Sequence, residues 1–408
     1  MKVKESFPFN EIRGIRLAAV ASGLKKDLLD LALIELNENS VCSAVFTQSS
    51  FAAAPVLISR KHLKGESSRY LLVNSGNANS ATGNEGFENA IRCCESVAEI
   101  AGLKKEEVLP FSTGVIGEPL DYKKIQNAIP SLFEKLAEDG WVNVARAIVT
   151  TDTTIKISST EIEIGDKRVK ITGVAKGSGM MQPNMATMLS FLATDALVDK
   201  KFLDQILSET CEKTFNRITV DGDTSTNDAC VLISTGFSGL DCNKEPQLDL
   251  IKKGIFQVMR ELAIAIVKDG EGATKFVEVR VKGGKTKRDS RNIAYSVANS
   301  PLVKTALFAS DPNWGRLVMA VGKADASIDT SKIDIRLNDL FLMKMGQIEK
   351  NYTEEKGFVE MKKPSIIITV NLNLGPYEEI VWTTDLSYDY VKINSEYKIG
   401  RASCRERV

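Results

Sequence analysis

Histidine is nearly missing from this chain: His62 is the one example in 408 residues. It stands in the polar run Ser59–Lys64 and is expected at the surface. With no second histidine, Ser-His-Asp and Cys-His catalysis and histidine-rich metal sites are disfavoured, and a catalytic base has to come from elsewhere. The seven cysteines, Cys42, Cys93, Cys94, Cys211, Cys230, Cys242 and Cys404, are odd in number and form no CxxC pair. That argues against a disulfide framework and a zinc site, and fits a reducing cytosol. An excess of one charge is absent too: 53 Lys plus Arg balance 53 Asp plus Glu, so nothing global favours nucleic acid or an anionic membrane. The apolar stretch in Arg16–Gly23 is too short for a membrane span or a usual signal peptide. A cytoplasmic protein is expected.

What is present suits a large packed core: 43 % hydrophobic and 26 % charged residues, close to soluble globular averages. Strand-like and helix-like segments alternate, which points to mixed α/β or α+β architecture. Helical stripes fall at Ala90, Ile91, Cys94, Val97, Ala98 and Ala101, and at Ile125, Ile129, Leu132, Phe133 and Leu136, with Pro130 as a kink point. Two more run through Phe202–Cys211 and Leu250–Ile266, the latter stopping near Gly270. Period-two alternation marks strands at Ile366–Leu374, Val277–Val281 and Ile333–Leu337.

Two motifs tempt and fail. Gly173–Gly179 lacks the Gly-Lys-Ser order of a P-loop and the third glycine of a dinucleotide fingerprint. Asp221-Gly222-Asp223-Thr224-Ser225 starts like a calcium loop, but Thr226 stands where the sharp turn needs glycine, so a hydrogen-bonded turn is the better reading.

The segment Lys176-Gly177-Ser178-Gly179-Met180-Met181-Gln182-Pro183-Asn184-Met185-Ala186-Thr187-Met188-Leu189 is the unusual one. A glycine turn and a Pro-Asn turn lead into Thr187, then into the buried-looking run Ser190–Thr194. A threonine hydroxyl needs a base within reach. Its own α-amine, with an unperturbed pKa of about 7.7–8.0, can serve once the preceding peptide bond is broken. Read by itself, Thr187 is more readily a buried strand threonine than a nucleophile.

This segment resembles the self-cleavage segment of the ornithine acetyltransferases, also called glutamate N-acetyltransferases, a family of arginine biosynthesis. Ordered likenesses run along nearly the whole chain: Ala44–Thr47, Ala53–Val56, Asn74–Asn79 with Thr82-Gly83, Ser112–Gly117, Thr150–Thr153, Asp221–Asp228, Asp269–Lys275 and Asp311–Arg316. The resemblance implies an α/β sandwich like that of the DmpA-type aminopeptidases, with a smaller C-terminal α/β domain over about 276–365. It implies cleavage between Ala186 and Thr187, giving an α chain, 1–186, and a β chain from Thr187 through about 398, with two of each assembling. Thr187 would take the acetyl group from N-acetylornithine and pass it to glutamate; some members also accept acetyl-CoA, and no bound cofactor is implied. By position, Thr113 and Gly114 match the oxyanion hole. Thr150 (or Thr151, if the register slips), Lys176, Thr187, Glu271 and Asn394 match substrate-binding positions. A lysine and a glutamate are the charges an ornithine-type substrate requires.

The family carries Ser or Thr five residues after this asparagine, where this chain has Ile399. The run Ile399–Val408 back-translates into a common sequencing-adapter sequence, so a non-native tail after Lys398 is expected. Two other readings share the scaffold: an aminopeptidase or amidohydrolase that passes the acyl group to water, and an unprocessed protein that binds ornithine-like ligands without turnover.

Overall fold

The structure is a computed structural model and describes residues 8–65, 67–182 and 188–396. The first part of the chain runs β1 (Ile15–Val20), β2 (Leu31–Leu36), β3 (Val41–Phe46), α1 (Ala54–His62), β4 (Tyr70–Asn77), α2 (Gly83–Ala101), β5 (Val108–Val115), α3 (Tyr122–Glu134) and α4 (Trp141–Ile148). It continues with β6 (Lys156–Ile164), β7 (Lys167–Lys176), β8 (Leu189–Thr194), α5 (Lys200–Lys213), β9 (Ala229–Ser234) and α6 (Gln247–Lys268). These elements make two sheets, ordered β1-β2-β4-β5 and β3-β9-β8-β7-β6.

The two sheets face each other across an apolar layer. Leu17, Ile34, Leu71, Val73 and Phe111 of the first meet Val174, Phe191, Val231 and Ile233 of the second, with Trp141 and Val144 of α4 filling the same layer. Such a layer is the usual way for two amphipathic sheets to remove their inner faces from water. The outer face of the first sheet is covered by Cys94 and Val97 of α2 and Ile125 and Ile129 of α3. The outer face of the second is covered by Leu203 and Leu207 of α5 and Ile255, Met259 and Leu262 of α6. The result is the α/β sandwich that the resemblance implies. The helical stripes lie where their periodicity puts them, and α2 ends on left-handed Gly102. Pro130 sits inside α3, which runs on to Glu134. All of β8 is buried, as a central strand covered on both faces must be.

The second part contains β10 (Phe276–Gly284), α7 (Lys287–Ala298), α8 (Pro301–Ala309), α9 (Trp314–Gly322), β11 (Asp334–Leu337), β12 (Leu340–Lys344), β13 (Gln347–Ile348), α10 (Glu354–Met361), β14 (Ser365–Asn371), β15 (Tyr377–Thr384) and α11 (Tyr388–Glu396). The strands order as β13-β12-β11-β14-β10-β15. Ile366, Ile368 and Val370 alternate inward against Ile293, Val297 and Leu307 of the helices. The sheet includes β14 and β15, the latter ending at Thr384.

His62 corrects an expectation. It is 3 % exposed, not a surface residue. The last turn of α1 faces β5, and the His62 Nδ1 lies 2.8 Å from the Val108 carbonyl. Charged neighbours in sequence point outward while the ring turns in, which a helix allows every third or fourth residue. Val108 begins β5, and Thr113 lies five residues on, roughly 16 Å along the strand.

Candidate active site

Adjacent strands end together at one edge of the five-stranded sheet: Lys176 pairs with Leu189, Leu189 with Ala229, and Ala229 with Phe46. The Ala229 amide donates to the Met188 carbonyl at 2.9 Å. Met188 follows Thr187 in the chain and is 1 % exposed. Ala186 and Thr187 lie outside the described residues, as do the departure at Ile399 and the expected non-native tail.

From the facing sheet, β5 brings Thr113 and Gly114. Thr113 is 6 % exposed. Gly114 has φ +136°, and a β-carbon there would stand 2.5 Å from the Asn77 nitrogen and 2.6 Å from the Gly76 oxygen. Only glycine lets these two parallel strands approach so closely. The strand ends are held by side-chain amides. Asn74 accepts from the Ser112 hydroxyl at 2.6 Å and donates to the Asn77 carbonyl at 2.9 Å. Asn77 donates to the Glu118 and Pro119 carbonyls, each at 3.1 Å, and accepts from the Asn79 amide at 2.7 Å. Asn227 then bridges the sheets, donating to the Ala78 carbonyl at 2.6 Å and the Ser112 carbonyl at 2.9 Å. The Asn74–Asn79 and Asp221–Asp228 motifs are therefore the fasteners that bring the Thr113–Gly114 pair to the end of β9.

A buried charge cluster forms the other wall. Lys156 lies 2.6 Å from both Asp152 Oδ1 and Asp269 Oδ2, and its side chain is 1 % exposed. Asp152 also accepts from the Gly177 amide at 2.7 Å and the Thr150 amide at 3.1 Å. Burial opposes charge on Asp152, but Lys156, Lys176 and the Gly177 amide outweigh it and hold its pKa at about 2. Asp269 accepts from the Thr153 amide at 3.0 Å and the Thr154 amide at 3.3 Å. The triad thus pins the Thr150–Thr154 loop and the end of α6 to the turn after Lys176.

Lys176 itself is half-buried. Burial lowers its pKa, against the pull of Asp152, Asp228 and Glu271. Asp228 is 3 % exposed, and burial raises its pKa well above the ordinary carboxylate value despite the attraction of Lys176. A lysine of lowered pKa, a carboxyl of raised pKa and an oxyanion-hole candidate thus share one water-poor corner, where electrostatic effects are strongest.

Glu271 follows Gly270, and its amide donates to the Ser178 carbonyl at 2.9 Å. Its carboxylate lies against the Gly179 backbone, where a β-carbon would stand 2.6 Å from Oε1. Asn394 of α11 donates to Glu271 Oε2 at 2.8 Å and to the Tyr390 carbonyl at 3.0 Å. Thr150, Lys176, Glu271 and Asn394 are therefore joined through the turn Gly177–Gly179. Thr151, the alternative to Thr150, bonds the Ser178 hydroxyl at 2.8 Å. Asp152, Lys156, Asp228 and Asp269 were not assigned roles from the sequence. Their signal is a pairing between positions as much as 113 apart, and one sequence does not display it.

Asp221 makes the expected hydrogen-bonded turn. Its carboxylate accepts from the Met180 and Met181 amides at 2.7 Å each and from Asp223 at 3.2 Å.

Comparisons with known proteins show the family. The ArgJ family model matches residues 16–399. The arginine biosynthesis bifunctional protein ArgJ of Methylococcus capsulatus is 47 % identical over 393 residues, covering 95 % of this chain and 96 % of that protein. The protein of the same name from Psychrobacter arcticus is 46 % identical over 392 residues, with 95 % and 96 % covered. The crystal structure of the Bacillus halodurans protein of that name superposes with a TM-score of 0.50 at 37 % identity, covering 52 % of this chain and 100 % of that one.

Proposed function

This chain belongs to the ArgJ family, acyltransferases of arginine biosynthesis, and from that premise we propose that it cuts itself before Thr187 and moves an acetyl group from N-acetylornithine to glutamate through an ester on that threonine. The observation that carries the reading is the convergence of Thr113–Gly114, Lys176 and the Glu271–Asn394 pair on the strand ends beside Met188, the residue after Thr187.

Maturation begins when the Thr187 hydroxyl oxygen attacks the Ala186 carbonyl carbon. The C–N bond breaks, the nitrogen takes the proton, and water hydrolyses the resulting ester to an Ala186 carboxylate and a free Thr187. The new α-amine, titrating near neutral pH, then accepts the hydroxyl proton as Thr187 attacks the acetyl carbonyl. The Thr113 hydroxyl and the Gly114 amide donate to the oxyanion. Ornithine leaves with the proton, glutamate enters, and its amine takes the acetyl group. One covalent ester serving donor and acceptor in turn gives ping-pong kinetics.

Lys176 suits the substrate carboxylate and Glu271 the cationic side-chain amine, with Asn394 holding the Glu271 carboxylate in place. Acetyl-CoA as a second donor would charge the same threonine, and two α and two β chains would make up the enzyme. Among the described residues no helix is long and apolar enough to cross a membrane; a cytoplasmic site of action is part of the proposal.

The test is intact mass on the purified protein and its Thr187→Ala variant, followed by acetyl transfer from N-acetylornithine with and without glutamate. Fragments meeting at Ala186/Thr187, an uncut variant and glutamate-dependent release of ornithine support the reading. Free acetate without need of glutamate would make the protein a hydrolase, and an uncut, inactive wild type would make it a binding protein.

A further inference from the structure

The turn that precedes the cleavage point is anchored by the second sheet unit. Gln182 is the last described residue before that point. Its amide donates to the Asp223 carbonyl at 2.8 Å, and its carbonyl accepts from the Thr224 hydroxyl at 3.0 Å. Its side-chain oxygen accepts from Asn299 Nδ2 at 2.6 Å. Asn299 caps the end of α7, its own amide bonded to the Tyr295 carbonyl at 2.9 Å. The Thr219 hydroxyl donates to Asn299 Oδ1 at 2.7 Å. The oxygen end of the Asn299 amide thus faces Thr219 and its NH₂ end faces Gln182. Thr219 is fully buried, so the arrangement is not a loose surface contact.

Upstream, the Met180 and Met181 amides are both held by Asp221, and the Met181 carbonyl accepts from Val220 at 2.7 Å. Met180 has φ +51°, a left-handed conformation that costs a side-chain-bearing residue energy and persists only where its surroundings impose it. Downstream, Met188 is fixed by Ala229. The described residues on either side of the scissile bond, Met180–Gln182 and Met188, are therefore each held, and the upstream hold reaches into a different unit of the fold.

We propose that Asn299 is a positioning residue for self-cleavage, acting through its hold on Gln182, the last described residue before the scissile bond. This rests on the self-cleavage reading above. An intramolecular attack depends steeply on alignment of the reacting atoms, so a tether a few residues away affects rate without touching them. The bonds made and broken are those of the cleavage step already given; Asn299 donates one hydrogen bond and exchanges no proton. Maturation is thereby faster once the second sheet unit is folded and docked.

The experiment follows the appearance of fragments on denaturing gels from freshly purified precursor for wild type, Asn299→Ala, Gln182→Ala and the double variant, with melting temperatures read beside the uncut Thr187→Ala precursor. Each single variant is expected to cut about three- to tenfold more slowly, the range one neutral hydrogen bond supports. The double variant should be no slower than the worse single, because both remove the same contact. Once matured, the variants should turn over at the wild-type kcat, a separation that general destabilisation would not produce. Wild-type cutting rates in Asn299→Ala and Gln182→Ala would overturn the inference while leaving the self-cleavage reading intact. If Asn299→Ala does not fold, Gln182→Ala decides alone: slowed cutting supports the proposal and unchanged cutting overturns it. A wild type that never splits before Thr187 removes the underlying reading instead.

Discussion

Replacing Gly114 with alanine should disable the chemistry while leaving the fold standing. A β-carbon there would lie 2.5 Å from the Asn77 nitrogen and 2.6 Å from the Gly76 oxygen, where ordinary contacts are 3.4–4 Å. Neither neighbour is the free end of a side chain. The strand ends must part by roughly 1 Å, a displacement that can cost on the order of 10²-fold in a positioned reaction. Gly114 also supplies a proposed oxyanion donor through its backbone N–H, which alanine keeps but the parting strands carry out of place; losing such a donor outright costs about 2.7–4 kcal/mol, or ~10²–10³ in rate, which bounds the effect of misplacing it. The assay is kcat for acetyl transfer, normalised to the processed fraction on a gel, because only processed chains carry the free Thr187 amine of the proposed mechanism. Gly117→Ala is the control: Gly117 has φ +86°, but a β-carbon there meets nothing within 4 Å. It should lose about 1–2 kcal/mol of stability with little change in kcat. Gly114→Ala turning over within about threefold of wild type would refute the reasoning, since the clash could then not be displacing the proposed donor.

Two further expectations follow from the buried charges. Lys156→Met leaves Asp152 and Asp269 facing each other without their shared cation, so it should cost about 3–5 kcal/mol in urea or thermal unfolding, with Asp152→Asn added to it restoring part of the loss; a cost below about 1 kcal/mol would mean that the triad does not hold the loop. Glu271→Gln keeps the shape and the Asn394 contact region but removes the charge proposed for the substrate amine, so KM for N-acetylornithine should rise about ten- to hundredfold with kcat less affected; an unchanged KM would assign the amine elsewhere.

Much of the frame was legible because local pattern and tertiary outcome coincide. The stripes of α2, α5 and α6 and the alternation of β14 follow from burying one face of a periodic element. His62 was not legible, because its polar neighbours describe the exposed side of the helix and say nothing of the ring that turns inward. Nor was the path of β3. It follows β2 closely enough to suggest a hairpin, yet pairs with β9 of the other sheet. The oxyanion and substrate positions came from the resemblance, carried by short motifs in order. The reason those motifs matter appears only in three dimensions: Asn227 spans from β9 to the carbonyls of Ala78 and Ser112, and Asp269 meets Lys156 across 113 residues. Such contacts depend on chain packing that no window of sequence contains.

The central claim is that Thr187 carries the acetyl group. Matured protein should be mixed with N-acetylornithine in the absence of glutamate, quenched in acid, and its chains weighed. The account predicts that the chain beginning at Thr187 gains one acetyl mass, that fragmentation puts it on Thr187, and that glutamate removes it as N-acetylglutamate. An acetyl group found on any other residue, or ornithine release with no acetylated chain at any time, would contradict it.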